Sequence, residues 1–287
     1  MPSVVNTNLV SLNSQRNLSS SQASLSTAMQ RLSSGLRVNS SKDDAAGLAI
    51  SERMNAQVRG MNVAIRNAND GISLVQTAEG AMAKVGDALQ RMRELAVQSR
   101  NASNSGSDKD SLDKEFGELA KEIQRVIGGT SFNGKRIIGS DAGTQTFQIG
   151  ANTTSDDTID LATTNMGAAA NLTTVAGTDN TGSGRALIDS TTNSTTLKTV
   201  IDNIDTAIDF VNTQRATMGA AQNRFDAVIS NLQVSVENQM SAKSRITDAD
   251  FATETANLSR AQILQQAGNA MVAQANQLPQ QVLRLLQ

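Results

Sequence analysis

Chemistry in this chain would have to run on carboxylates and amines. Asp108, Asp110 and Asp113 lie close together, and Asp248 and Asp250 are separated by one residue. Converging carboxylates can hold a divalent cation, but two of them without a third ligand make a weak site. Carboxylates at the start of a helix need no metal to explain them, because the helix macrodipole favours negative charge there. Both clusters therefore read as helix caps. Ser40, Ser41, Lys42, Asp43 and Asp44 read the same way, as a hydroxyl cap and two carboxylates opening a long helix. Thr247-Asp248-Ala249-Asp250 gives a similar start for a C-terminal helix. The chain has no His, Cys, Tyr or Trp. It holds no His/Cys zinc site, no Ser-His-Asp or Cys-His catalytic set and no disulfide. Proton transfer would fall to Asp, Glu and Lys alone. Such a composition points away from an enzyme and towards a helical interaction or structural protein.

The elements that would position these residues are helices. Only Pro2 and Pro279 are proline, so the interior is free for long helical runs. From Ile50 the apolar positions run Met54, Val58, Met61, Ile65, Ala68, Ile72, Val75, Ala78, Met82, Val85, Leu89, Met92 and Ala96. Steps of three and four alternate, a period of 3.5 that marks helices packed side by side with left-handed supercoiling. A shorter seam is Leu112, Phe116, Leu119, Ile123 and Val126. A third runs from Leu197 through Ile204, Val211, Met218 and Phe225 to Val236, with Arg215 and Gln222 at seam positions as a device for fixing register. The fold class expected is mainly α, a long coiled-coil-like bundle.

Both ends differ in character from the middle. Leu18, Gln22, Leu25, Met29, Leu32 and Leu36 form a heptad seam, and Ala261, Leu264, Gly268, Met271, Ala275, Leu278, Val282 and Leu285 form another. No acidic residue precedes Asp43, and after Arg260 the only charge is Arg284. A solvated helix ordinarily carries charged pairs on its outer face. Faces of Ser, Asn and Gln suit packing against further copies, where a charge would have to be desolvated. The expectation is two ends that order in an assembly; the alternative is a polar-faced helical hairpin inside one monomer.

Between the helical stretches lie turn and strand signals. Asn133-Gly134 suits a tight turn, and Thr146-Phe147-Gln148-Ile149-Gly150 alternates like a strand. From Asn152 to Thr196 more than half the residues are Thr, Ser, Asn or Gly, which reads as a short surface excursion anchored by Ile159, Leu161 and Leu187. Its hydroxyls could serve O-glycosylation. The net charge of −2 gives no electrostatic case for nucleic acid, and no apolar run is long enough to span a bilayer. No basic n-region followed by an apolar h-region opens the sequence, so no Sec signal is expected.

Two stretches resemble the bacterial flagellins. One is Asn6-Thr7-Asn8, then Gln15-Arg16-Asn17-Leu18, then QRLSSGLRVNSSKDDAAGLAIS from Gln30 to Ser51. The other is Ser244-Arg245-Ile246-Thr247-Asp248-Ala249-Asp250-Phe251, followed by Glu254 to Leu286. The resemblance covers about residues 4–151 and 197–287, and departs from the usual pattern at Pro2, Val5 and Arg284. It implies a structural filament subunit, with a hook–filament junction protein as the alternative. The implied organisation is a terminal D0 region at 1–41 and 247–287, a D1 rod at 42–151 and 197–246 with a small β-hairpin, and a short variable region at 152–196. Leu18, Leu25, Met29, Leu32, Leu36, Leu264, Met271, Leu278, Val282 and Leu285 would pack the filament core.

The resemblance also implies partners: further copies of the chain, an export chaperone, filament cap and hook-junction proteins, and host flagellin receptors. It implies no cofactor and no membrane insertion, with export through the flagellum's own type III channel to an extracellular filament. Gln30–Ser51 resembles the segment read by plant immune receptors. Gln90, Arg91, Leu95, Gln98 and Glu115 match the contact read by the animal Toll-like receptor. Arg91 and Leu95 are one helical turn apart and are expected beside the seam, exposed on one face. Some flagellins carry an HExxH metalloprotease motif, which a chain without His lacks.

Overall fold

The computed structural model describes residues 7–285, with side chains through Gln277. Its helices are α1 (Leu9–Ser34), α2 (Ala45–Ser99), α3 (Gly106–Gly129), α4 (Ala170–Ala176), α5 (Ser194–Thr247) and α6 (Phe251–Leu285). Strands β1 (Thr144–Gln148) and β2 (Thr158–Ala162) pair antiparallel, with Phe147 opposite Ile159. This is the mainly helical architecture with a small β element that the periodicity and the resemblance led us to expect.

Helix ends follow local chemistry. Asp44 caps α2, its carboxylate accepting from the Gly47 N–H at 2.8 Å. Asp43 instead folds back to accept from the Ser40 and Asn39 N–H groups. Ser105 and Asp108 form a reciprocal capping box at the start of α3. Thr247 does not open the C-terminal helix as the sequence suggested: α5 continues through it, and α6 begins at Phe251. The cap there is Asp250, which accepts from the Ala252 N–H and the Thr253 hydroxyl. Asp248 serves neither helix as a cap; its Oδ1 accepts from the Thr247 hydroxyl.

The chain divides into two compact units within α2 and α5, residues up to Val58 and from Glu237 forming one, and Arg59–Val236 the other. In the second unit, Met61, Ala68, Val75, Ala78, Met82, Val85, Leu89, Met92 and Ala96 are buried on the expected α2 seam. From Ala68 onward they join Phe116, Ala120, Ile123 and Ile127 of α3 and Leu197, Ile204, Val211, Met218 and Phe225 of α5 in one core. Burying a Leu, Ile, Met or Phe side chain stabilises the fold by roughly 1.5–3 kcal/mol. Arg215 stays half-buried at its seam position, its guanidinium 3.9 Å from Glu79 on α2.

The β element closes over the same core. Ile159 and Leu161 alternate inward along β2. Phe147 of β1 meets Phe225 edge to face, ring centroids 5.4 Å apart. Asn133 and Gly134 both hold positive φ (49° and 79°), with Phe132 bridged to Lys135, as an Asn-Gly tight turn requires.

Residues 152–196 are tied down more firmly than their composition suggested. Leu172, Val175 and Ile188 are fully buried in the core with the expected anchors Ile159 and Leu161, whereas Leu187, the third expected anchor, is exposed. The acidic cluster explains the tie. Asp108 caps α3, but Asp113 accepts from Arg185 through both terminal nitrogens (2.6 and 2.8 Å) and from the Ile188 N–H (3.0 Å). Asp110 accepts from the Ser190 N–H at 2.9 Å. The cap reading thus holds for Asp108 alone. Sequence reasoning missed Arg185, yet it is the lone basic residue between Arg136 and Lys198, a signal that it pairs with something. Among the described residues no three His, Cys, Asp or Glu side chains converge as a metal site.

Candidate functional site

The terminal unit pairs α1 with α6, antiparallel. Asn8 caps α1 through the Ser11 N–H and donates its amide to the Ala275 carbonyl at 2.7 Å; the Ser11 hydroxyl donates to Asn276 at 2.7 Å. At the other end of the pair the Ala249 N–H donates to the Gly35 carbonyl, and the Arg37 N–H to the Thr247 carbonyl. Arg37 also donates from its guanidinium to the Ile246 carbonyl at 2.7 Å. Two linkers, 35–44 and 248–250, are thereby held side by side. α1 and α6 are thus paired within a single chain.

The faces that meet are only half of the expected seams. On α1, Leu18, Leu25 and Leu32 are half-buried, and the column three residues on (Ser14, Ser21, Ala28) completes the packed face. The column four residues on, which contains Met29, points elsewhere: Met29 is 57% exposed. Leu36 lies half-buried in the linker. On α6, Ala261, Gly268 and Ala275 pack as expected, but their companions are Leu258, Gln265 and Val272. Leu264 and Met271 are 51% and 60% exposed. Leu278, Val282 and Leu285 fall outside the residues whose side chains are described. Small residues decide this register, because they let two backbones approach closely. A Cβ on Gly268 would stand 3.1 Å from Leu18 Cδ1.

The result is a helix pair that buries little and exposes much. Its fully buried apolar residues are alanines (Ala28, Ala261 and Ala275), while Leu9, Val10, Leu12, Met29, Phe251, Ile263, Leu264 and Met271 remain in solvent. Large apolar side chains left open along a helix pair are the kind of surface through which proteins associate. Beside it, a groove of about 580 Å³ runs between Ser20, Ser24, Thr27 and Arg31 of α1 and Glu254, Asn257 and Leu264 of α6. No helix among the described residues is long and apolar enough to cross a membrane.

The second set of expected site residues lies on the other unit. Arg91 on α2 reaches Glu115 on α3, Nε and Nη2 both 2.8 Å from Oε1, and donates from Nη1 to Glu94 at 2.8 Å. These hydrogen bonds, Glu94's foremost, raise the guanidinium above its ordinary pKa. Gln90 and Gln98 are exposed beside a groove they share with Arg93, Glu94 and Val97. Leu95 corrects the expectation. It is 1% exposed and belongs to the core, not to the face of Arg91. The reason is that α2 packs against both α3 and α5, so its buried stripe is wider than a two-helix seam. A signal was present: Leu74, Ala81, Ala88 and Leu95, seven residues apart, are apolar without exception and all pack in or against the core.

The geometry offers surfaces and charge pairs, and the comparisons with known proteins agree in kind. Residues 5–146 match the family described as bacterial flagellin N-terminal helical region, and residues 201–286 the bacterial flagellin C-terminal helical region. The chain is 44% identical to a flagellin of Halalkalibacterium halodurans over 99% of both chains. It is 40% identical to a flagellin of Bacillus subtilis over 98% of this chain and 99% of that one. The crystal structure of Bacillus cereus flagellin aligns at 31% identity and a TM-score of 0.47, over 58% of this chain and 88% of that one.

Proposed function

The chain belongs to the bacterial flagellin family and is a structural subunit of the flagellar filament; from that premise we propose that copies join through the apolar flanks left open on α1 and α6. The observation that carries the reading is the contrast between the two units. Residues 59–236 fully bury Phe116, Phe225, Met82, Leu89 and Met92, whereas the terminal pair buries alanine and serine and leaves leucine, isoleucine, methionine and phenylalanine in solvent. Serine, asparagine and glutamine around those side chains can be desolvated against matching groups at less cost than charges.

In this reading Leu18, Leu25, Leu32 and Leu36 hold the pair together within one subunit, and Met29, Leu264 and Met271 face other copies. Leu278, Val282 and Leu285 extend the same proposal at the level of sequence. The terminal pair corresponds to D0 and residues 42–151 and 197–246 to D1, with 152–196 turned outward. Export through the type III channel to an extracellular filament, with a chaperone, cap and hook-junction proteins as partners, belongs to the same proposal. Host receptors would read Gln30–Ser51 in plants, and Gln90, Arg91, Gln98 and Glu115 in animals. Leu95 drops out as a contact. Likeness to flagellins along almost the whole chain favours the filament subunit over the hook–filament junction protein.

Leu264→Asp and Met271→Asp test the assembly surface. Each position is exposed in the single subunit, so the variants keep their helix content by circular dichroism. An unpaired charge in a packed seam between copies stops polymerisation. Filaments seen by electron microscopy for either variant, under conditions that polymerise the unaltered chain, overturn the proposal.

A further inference from the structure

Methionine is the side chain on which an oxidant can act in this protein. Cys, Trp, Tyr and His, the other readily oxidised residues, are absent. The fold then sorts the methionines. Met82, Met92, Met166 and Met218 are buried in the core of residues 59–236, Met61 is buried beside α2's end of it, and Met54 is half-buried. Met29, Met240 and Met271 are more than half exposed, and all three belong to the terminal unit. Two of them, Met29 on α1 and Met271 on α6, stand on the apolar flanks that neither helix covers for the other.

We propose that Met29 and Met271 are oxidation sites that switch subunit association off, a regulation that rests on the assembly surface proposed above. The oxidant is a hydroperoxide or hypohalous acid of the kind released against bacteria. A lone pair on the thioether sulfur attacks one oxygen of hydrogen peroxide; the O–O bond breaks as the S–O bond forms, and the departing hydroxide takes the proton from the transferred oxygen and leaves as water. Sulfur loses two electrons and the peroxide gains them. The flexible apolar side chain becomes a polar sulfoxide. In the free subunit the new S=O is solvated and the helix pair is undisturbed. Between copies the same oxygen must be desolvated without a partner, which opposes association. Sulfoxide is reducible by methionine sulfoxide reductases, so the switch is reversible.

The test treats full-length monomer with hydrogen peroxide, quenches it, and maps oxygen uptake by mass spectrometry before seeded polymerisation. Three chains are compared: the unaltered one, Met29→Leu/Met271→Leu, and Met240→Leu. Oxidation is expected at Met29, Met240 and Met271 while the five buried methionines stay reduced and helix content holds. The oxidised unaltered chain and oxidised Met240→Leu should need at least about tenfold more protein to polymerise. Oxidised Met29→Leu/Met271→Leu should polymerise as before, and reductase treatment should restore the unaltered chain. The proposal is overturned if core methionines oxidise before Met29 and Met271, or if oxidised and untreated chains polymerise alike. Untreated chain that forms no filament overturns the assembly reading as well, which separates the two failures.

Discussion

Truncating Leu95 to alanine separates a core residue from a surface contact. Leu95 is 1% exposed within the cluster that α2, α3 and α5 build together. The substitution removes three carbons, worth roughly 2–3 kcal/mol in transfer free energy. With the cavity that the surrounding helices cannot fully close, the total comes to about 3–5 kcal/mol. For a urea slope near 2 kcal/mol per molar, the unfolding midpoint of the monomer falls by about 1.5–2.5 M. Leu95→Met nearly conserves volume and costs less than about 1.5 kcal/mol. Arg91→Ala and Glu115→Ala, both on the surface, leave the midpoint in place while weakening activation of an animal flagellin receptor by monomer. Receptor activation lost in Leu95→Ala returns in Leu95→Met, because it depends on the packing beneath the face and not on a contact. A Leu95→Ala midpoint within about 0.25 M of the unaltered chain, the roughly 0.5 kcal/mol range of a surface substitution at that slope, refutes the reasoning.

Two further outcomes follow from the charges. Asp113→Asn leaves Arg185, mostly buried, without its anion, and should destabilise residues 59–236 by about 2–4 kcal/mol; limited proteolysis should then cut within residues 177–193, and an uncut loop counts against the clamp. Stability should be flat from about pH 8 to pH 5, since no side chain here ordinarily titrates in that range, and should decline below about pH 4. Asp108, Asp157, Asp179, Asp189 and Asp250 are held below the usual carboxylate range chiefly by the hydroxyls of Ser105, Thr154, Thr181, Thr191 and Thr253, and Asp43 chiefly by the Ser40 N–H. A lowered folded pKa stabilises fully above the unfolded value and loses its effect as pH falls through the folded one. Unfolding midpoints that drop between pH 7.5 and 5.5 would contradict this assignment.

How far the sequence carries is visible in individual columns. Most seam positions from Met61 to Ala96 on α2, and alternate ones from Leu197 to Phe225 on α5, are buried where their spacing named them, because a 3.5-residue period is a property of the local chain. The Asn133-Gly134 turn and the cap role of Asp108 were legible for the same reason: their geometry is set within four residues. So was the family, carried by long motifs at both ends.

Questions about which neighbour covers a column lay beyond it. Met29, Leu264 and Met271 sit one helical step from residues that pack, and their periodicity is the same whether a partner helix takes one flank or the other. The choice fell to the flank of serine, alanine and glycine, since α1 and α6 approach most closely where side chains are smallest. Leu95 went the opposite way, buried because a third helix reached it, and Asp113 turned from a helix cap into an anchor because Arg185 came back from 72 residues away. Amino-acid order by itself determined the helices, those caps that close within a few residues, and the columns able to pack. Tertiary structure alone decided which of those columns meet and which stay open, because that depends on how many elements converge on a face and how closely their backbones can approach.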